Sequence, residues 1–331
     1  MRKKINKRIF QIAFVFFICG FFLIARGADF SNANQEMIIT SNPQYPAANQ
    51  TITLKAEIYI TDINRAEILW FVDNKLKKAG VGLKEFSFTT KGLGETTIIN
   101  IQVNTVDVGQ INKQIKIIPV DIDLVWEADS YTPPFYKGKA LNTHETVMKM
   151  VALPDFIDSY GKKIDAKNLI YKWEKNWKVD NNQSGYGKNS FSFIGPKIFE
   201  KTVISVTVES LDGLSKSKKN LSIPTHNPEI IFFEKDPLLG IMDNNALQNI
   251  YNQDREELLL VARPFFFSTQ DLKRSAKCIW TMNGKIIDNS STEIVLRKKE
   301  GDTGSSVIAL EIQNLKKIMQ FASNDFTINF D

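Results

Sequence analysis

The chain has 331 residues, enough at about 100–200 residues per domain for two or three domains that each bury a core. Its formal net charge is +5, but six of the basic residues and none of the acidic ones fall in the first 27, so the remaining chain stands at −1. A near-neutral body excludes the electrostatic footprint of a nucleic-acid binder, and its one cysteine, Cys278, excludes an internal disulfide.

At the N-terminus, "MRKKINKRIF" is a basic stretch, "FQIAFVFFICGFFLIA" an apolar one, and Ala25-Arg26-Gly27 offers small residues where a signal peptidase cuts. Residues 1–27 therefore read as a Sec-type signal. An uncleaved anchor is the competing reading, because the run approaches the ~17 residues that just span a bilayer. Either way the body is expected outside the cytoplasm, secreted or at the cell surface, and touches a membrane only through this segment if it is retained. Cys19 follows Phe17-Ile18 rather than small residues, so it is not a lipidation site.

The rest of the chain repeats itself. "WFVDNKLKKAGVGLKEFSF" from Trp70 returns as "WEKNWKVDNNQSGYGKNSFSF" from Trp173, and "WTMNGKII" from Trp280 is a third copy. Ile68, Tyr171 and Cys278 stand two residues before the tryptophans, on the same strand face. Each tryptophan is thus expected in a core, with Cys278 a buried small hydrophobe rather than a reactive thiol. Asp73-Asn74, Asn176-Trp177 and Asn283-Gly284 follow, each before a lysine and an aliphatic. Asp-Asn and Asn-Gly pairs tolerate the positive φ of a two-residue hairpin, so the pattern predicts strand, tight turn and return strand. Gly80-Val81-Gly82 with Phe86-Ser87-Phe88 recurs as Gly185-Tyr186-Gly187 with Phe191-Ser192-Phe193, and has drifted to "SSTEIVL" in the third copy.

Some thirty residues past each tryptophan the chain alternates: Ile99, Ile101, Val103; Ile204, Val206, Val208; Ile308, Leu310, Ile312. Period two with one polar face predicts a half-buried antiparallel strand. A strand opens each unit ("QTITLKAEIYI", "ETVMKMVAL", "EELLLVA") and another closes it ("KQIKII", "KNLSI", "DFTINF"). With no helix-period stretch of useful length, the fold class is all-β: three tandem antiparallel β-sandwiches over residues 28–120, 121–226 and 227–331. Units of about 100 residues with a core tryptophan on the third strand, an Asn-Gly-Lys type hairpin and a late "VISVTVESLDG" strand resemble the immunoglobulin-like and polycystic-kidney-disease-type sandwiches of bacterial surface proteins. The chain departs from them in lacking the cysteine pair and a Gly-Asp-Gly after the tryptophan. It is also similar to exported proteins of small-genome candidate-phylum bacteria, a resemblance that implies no activity.

Two further stretches, from Asp123 and from Glu229, align Trp126 with Phe233, Glu127 with Glu234 and Asp129 with Asp236 at the expected domain seams. One reading packs the aromatics into the sandwiches and lets the acids cap turns. The other gives Glu127, Asp129, Glu234 and Asp236 to calcium that stiffens the seams, with carbonyls completing its oxygen shell. No other cofactor is expected. His144 and His226 fall in loops without metal or nucleophile partners, and Lys216 to Lys219 reads as a solvated strand end. Ser215 and Lys218 spell SxxK in a turn where that signature needs a helix, and Gly80-Val81-Gly82 lies between strands where a nucleotide fingerprint needs a helix.

Binding is left. Trp177 holds the turn position of Asn74 and Gly284, where a tryptophan gains no core contact and tolerates positive φ poorly; exposed there, with Tyr186 from the next turn, it would contact an envelope protein or a glycan. The alternative is a wider turn that folds Trp177 back onto its sheet. The expectation is an exported, non-enzymatic, semi-rigid rod for adhesion, protein–protein interaction or envelope spacing. The alternatives are a carbohydrate-binding module with calcium-stiffened seams and an envelope enzyme with an unrecognised carboxylate site.

Overall fold

The structure, a computed structural model, describes residues 37–330 except 159, 199, 200, 248, 299, 300 and 302; the export segment expected over residues 1–27 lies outside them. The fold is all-β, three tandem sandwiches of antiparallel sheets. In the first, β1 (Ile38–Asn42), β2 (Thr51–Glu57) and β5 (Glu85–Thr89) form one sheet; β4 (Lys75–Val81), β3 (Glu67–Val72), β6 (Thr97–Asn104) and β7 (Gln110–Ile117) form the other. The second repeats this with β8 (Asp121–Ala128), β9 (Val147–Asp155) and β13 (Ser190–Ile194) against β11 (Lys178–Val179), β10 (Ile170–Lys175), β14 (Thr202–Glu209) and β15 (Lys216–Ile223); β12 (Gly185–Tyr186) also pairs with β10.

The third sandwich sets β16 (Glu229–Asp236), β19 (Glu257–Phe265) and β22 (Glu293–Arg297) against β21 (Lys285–Ile287), β20 (Ala276–Met282), β23 (Gly304–Asn314) and β24 (Phe321–Phe330). It adds β17 (Gly240–Ala246) beside β16, and β18 (Ile250–Gln253) parallel to β24. A short helix, α1 (Thr269–Ser275), joins β19 to β20. None of these three additions was anticipated: each is short and leans on its neighbours, so it carries no periodicity of its own.

Trp70, Trp173 and Trp280 are fully buried, one in each of three separate cores. Each pairs with the alternating strand, Trp70 with Ile101, Trp173 with Val206 and Trp280 with Leu310. The indole N–H donates to the carbonyl of Leu83 (2.8 Å), Lys188 (2.9 Å) or Ser291 (2.8 Å), so a buried donor is satisfied the same way three times. Burying some 150–250 Å² at about 25 cal/mol/Å² is worth roughly 4–6 kcal/mol per tryptophan before entropy is subtracted. Phe86 stacks on Trp70 (5.4 Å) and Phe191 on Trp173 (5.3 Å). In the third core Ile294 and Leu296 hold the phenylalanine positions and Phe232, from β16, meets Trp280 instead.

Two core assignments need correction. Cys278 is half-buried at the edge of its core rather than enclosed, and burial raises its thiol pKa. Phe233 does not match Trp126: its neighbour Phe232 fills the core, and Phe233 points from the opposite face of β16 onto Phe135 of the second sandwich. A strand alternates faces at every residue, so a shift of one exchanges core for surface.

Candidate functional site

All three tryptophan strands end in a two-residue turn with both residues at positive φ: Asp73 and Asn74 (47° and 62°), Asn176 and Trp177 (48° and 63°), Asn283 and Gly284 (50° and 77°). This mirror-image turn matches the right-handed twist of the flanking strands. Its first residue has the same task each time. The Asp73 carboxylate accepts from Ile98 N (3.0 Å), and the Asn176 and Asn283 side-chain oxygens from Val203 N (2.9 Å) and Val307 N (2.8 Å). That bond ties the turn to the neighbouring strand and explains why Asp or Asn stands there.

At the second position Asn74 Oδ1 accepts from Asn100 Nδ2 (3.0 Å) and glycine stands in the third copy; here Trp177 differs. At φ 63° its side chain is 78% exposed and, among the described residues, makes no hydrogen bond or ring contact. The turn is no wider than two residues and Trp177 does not fold back. A non-glycine residue in this region costs about 1–3 kcal/mol, and among the described residues no hydrogen bond or ring contact of the Trp177 side chain offsets it. The tip is also rigid at its base. Lys175 donates to Ile194 O (2.8 Å) and lies 4.9 Å from the Phe193 ring centre; burial lowers its ammonium pKa. No local pattern signals that brace, because Lys175 and Ile194 lie on different strands.

Tyr186 is separate from Trp177. It is 57% exposed, its hydroxyl donates to Asn168 Oδ1 (2.9 Å), and it pairs with Ile170 at the opposite end of β10. Six residues of strand place it about 20 Å from the Trp177 turn, so the two aromatics do not form one surface. The Gly-x-Gly that frames Tyr186 is structural: Gly82 and Gly187 adopt φ 69° and 70°, and a Cβ would come within 2.9 Å of Asn64 O and 3.1 Å of Lys167 O.

The carboxylates do not converge. Glu127 is exposed with Lys149 3.9 Å away, and Asp129 enters the second seam through its carbonyl, which accepts from Thr269 N (3.2 Å). Glu234 and Asp236 lie at the far end of the third sandwich rather than at a seam, because the eight residues of β16 span about 25 Å. There Glu234 accepts from Arg255 (2.8 Å) and from Tyr251 Oη (3.0 Å), while Asp236 caps a turn through Leu238 N and Leu239 N. Arg255 therefore already supplies the cation to this pair. Burial, then Glu234, pushes the Tyr251 phenol up to about 12. Among the described residues no group of three or more His, Cys, Asp or Glu is placed to hold a metal ion.

The remaining motifs are absorbed by structure. Lys218 pairs with Glu174 (2.8 Å) across the sheet, and Ser215 N donates to Ser210 Oγ (3.0 Å). The lysine run opens β15, with Lys216 and Lys219 exposed and Lys216 paired with Glu209 (2.8 Å). His144 is in a loop but wholly buried.

No family model and no curated protein matches the chain. Solved structures similar to it are tandem β-sandwich arrays. The three N-terminal domains of the bacteriophage RB49 Highly Immunogenic Outer Capsid protein (Hoc) align over 89% of this chain and 98% of theirs, at 12% identity and TM-score 0.26. The central fibronectin-III array of RIM-binding protein aligns over 88% and 93%, at 9% identity and TM-score 0.30. Fibronectin(III)-like modules of Clostridium thermocellum CbhA align over 57% and 94%, at 12% identity and TM-score 0.27. Likenesses of this size carry no argument about what the chain does.

Proposed function

We propose that the chain is an exported, non-enzymatic interaction protein whose second sandwich presents the Trp177 hairpin to a protein partner, the other sandwiches serving as scaffold. The observation that carries this is the backbone of Trp177: a strained, exposed tryptophan where the equivalent turns hold Asn74 and Gly284. Large rigid aromatics at solvent-exposed tips are the residues that dominate binding energy when a partner desolvates them. The basic, apolar N-terminal stretch supports a location outside the cytoplasm, secreted or held at the cell surface.

The test is retention from native envelope extract on purified residues 28–331, against Trp177→Gly and Trp177→Ala, with and without calcium, read by mass spectrometry and glycan analysis. A protein retained by wild type and lost in both variants is the expected result. Retention independent of Trp177 would reject the hairpin as the contact, and Trp177-dependent retention of a glycan would move the reading to a carbohydrate-binding module. Loss of retention on calcium removal would support Glu127, Asp129, Glu234 and Asp236 as calcium ligands.

A further inference from the structure

The second seam is far more built than a linker. Between β8 and β9 the chain runs out over residues 129–146 and lies on the third sandwich. Tyr131 exchanges backbone hydrogen bonds with it, its N–H donating to Phe267 O and its carbonyl accepting from Phe266 N, each at 2.7 Å. Ser130 bridges to Ser268. Phe135 packs edge-on against Phe233 (5.5 Å) and Phe265 (6.3 Å), and Tyr136 against Phe265 and Phe266 (both 5.7 Å). These rings cover the outer face of β16 and β19, so Phe233, Val261 and Phe265 are buried on the side of the sheet that would otherwise meet water.

The base of the loop is polar and sealed. Thr143 Oγ1 donates to Phe266 O (2.7 Å), Gln320 donates to His144 O, and Lys317 donates to Glu145 O (2.9 Å) while pairing with Asp271. Asn142, Thr143, Thr146 and Gln320 are fully buried. Separating the sandwiches would strand these groups and expose the aromatic face, both costly. Among the described residues, no hydrogen bond or ring contact crosses the first seam: three residues join β7 to β8, Gly94 abuts Ile157, and a cleft of about 290 Å³ opens between Tyr45, Lys116, Leu214 and Lys216.

We infer that residues 129–146 lock the second and third sandwiches into one rigid, cooperatively unfolding body, with bending confined to the first seam. The lock also holds the end of the second sandwich that bears the Trp177 turn in one orientation to the third sandwich. It does not depend on what Trp177 binds.

The test uses the full chain with Cys19→Ala and Cys278→Ala and spin-label pairs at Ser192→Cys with Lys285→Cys across the second seam, and at Lys78→Cys with Ser192→Cys across the first. The expected distance distribution is narrow across the second seam, as for a pair within one sandwich, and several-fold broader across the first. Phe135→Ser with Tyr136→Ser broadens the second and leaves the first unchanged. Hydrogen exchange supplies the second readout: in wild type, core amides of β9 and β19 open at one common rate, and in the double variant at two. A second-seam distribution as broad in wild type as across the first seam, or separate opening rates in wild type, overturns the lock. Both of these are read without the variant.

Discussion

Trp177 has a backbone that suits glycine and a bulky side chain that does not. Trp177→Gly removes the strain, partly offset by the freer unfolded chain that glycine brings, and should stabilise the protein by about 1 kcal/mol; urea denaturation of the two proteins checks it. If Trp177 is a contact residue, the same change weakens partner retention, so stability and binding move in opposite directions. A second residue-scale prediction concerns Glu174, whose side chain is only 10% exposed and lies 2.8 Å from Lys218 and 2.9 Å from Lys172. Hydrogen bonds from Lys218 and then Lys172 hold its carboxyl below the usual glutamate value of 4.5. A depressed folded pKa contributes stability that is present above the unfolded pKa and lost as pH falls through the folded one. The urea midpoint of Glu174→Gln should therefore sit below wild type at pH 7 and converge on it toward pH 3. A gap that stays constant with pH would mean that packing, not charge, sets the difference.

At the scale of elements, the repeated phrase is a set of local solutions. Phe191 stacks between Trp173 and Phe193 (5.3 and 5.6 Å), so Phe191→Ala should cost about 3–5 kcal/mol, measurable as a loss of protection in β10 and β14. The second glycine of Gly-x-Gly answers to a different constraint. Gly187→Ala places a Cβ 3.1 Å from Lys167 O at φ 70° and should destabilise by about 1–3 kcal/mol, whereas Gly185→Ala meets only the flexible Lys188 side chain at 3.8 Å, though also at positive φ. A larger loss for Gly187→Ala than for Gly185→Ala in thermal unfolding is the expected order. The hairpins, the alternating strands and the core tryptophans were all legible in the sequence because each rests on periodicity or on turn chemistry within about ten residues. β18 was not, since it pairs with β24 far along the chain, and β17 and α1 were not because each is only seven residues long and carries no clear apolar period.

Over the whole molecule, the two seams differ although an aromatic followed by Glu-x-Asp recurs at the end of the first strand of the second and of the third sandwich. The expected carboxylate symmetry fails because strand length, not sequence alignment, decides which end of a sandwich a residue occupies: Asp129 reaches the second seam, and Glu234 with Asp236 the far end. At the first seam, Gly94 at φ 74° would bring a Cβ to within 2.6 Å of Ile157. Gly94→Ala should therefore shift the angle between the first and second sandwiches, seen as a change in maximum dimension by small-angle scattering, without altering spin-label distances across the second seam.

By itself the sequence determined the all-β class, the threefold repeat and the buried tryptophans, because period-two patterning and turn chemistry are set by neighbouring residues, while Trp177 was left between an exposed tip and a fold-back that only the structure separates. Only the tertiary structure decided that Tyr186 stands apart from Trp177, that Phe233 faces outward, that Arg255 rather than an open shell lies between Glu234 and Asp236, and that residues 129–146 bind the third sandwich. Each of these depends on which strand ends and faces meet in space, a relation between segments up to 176 residues apart that no local pattern encodes.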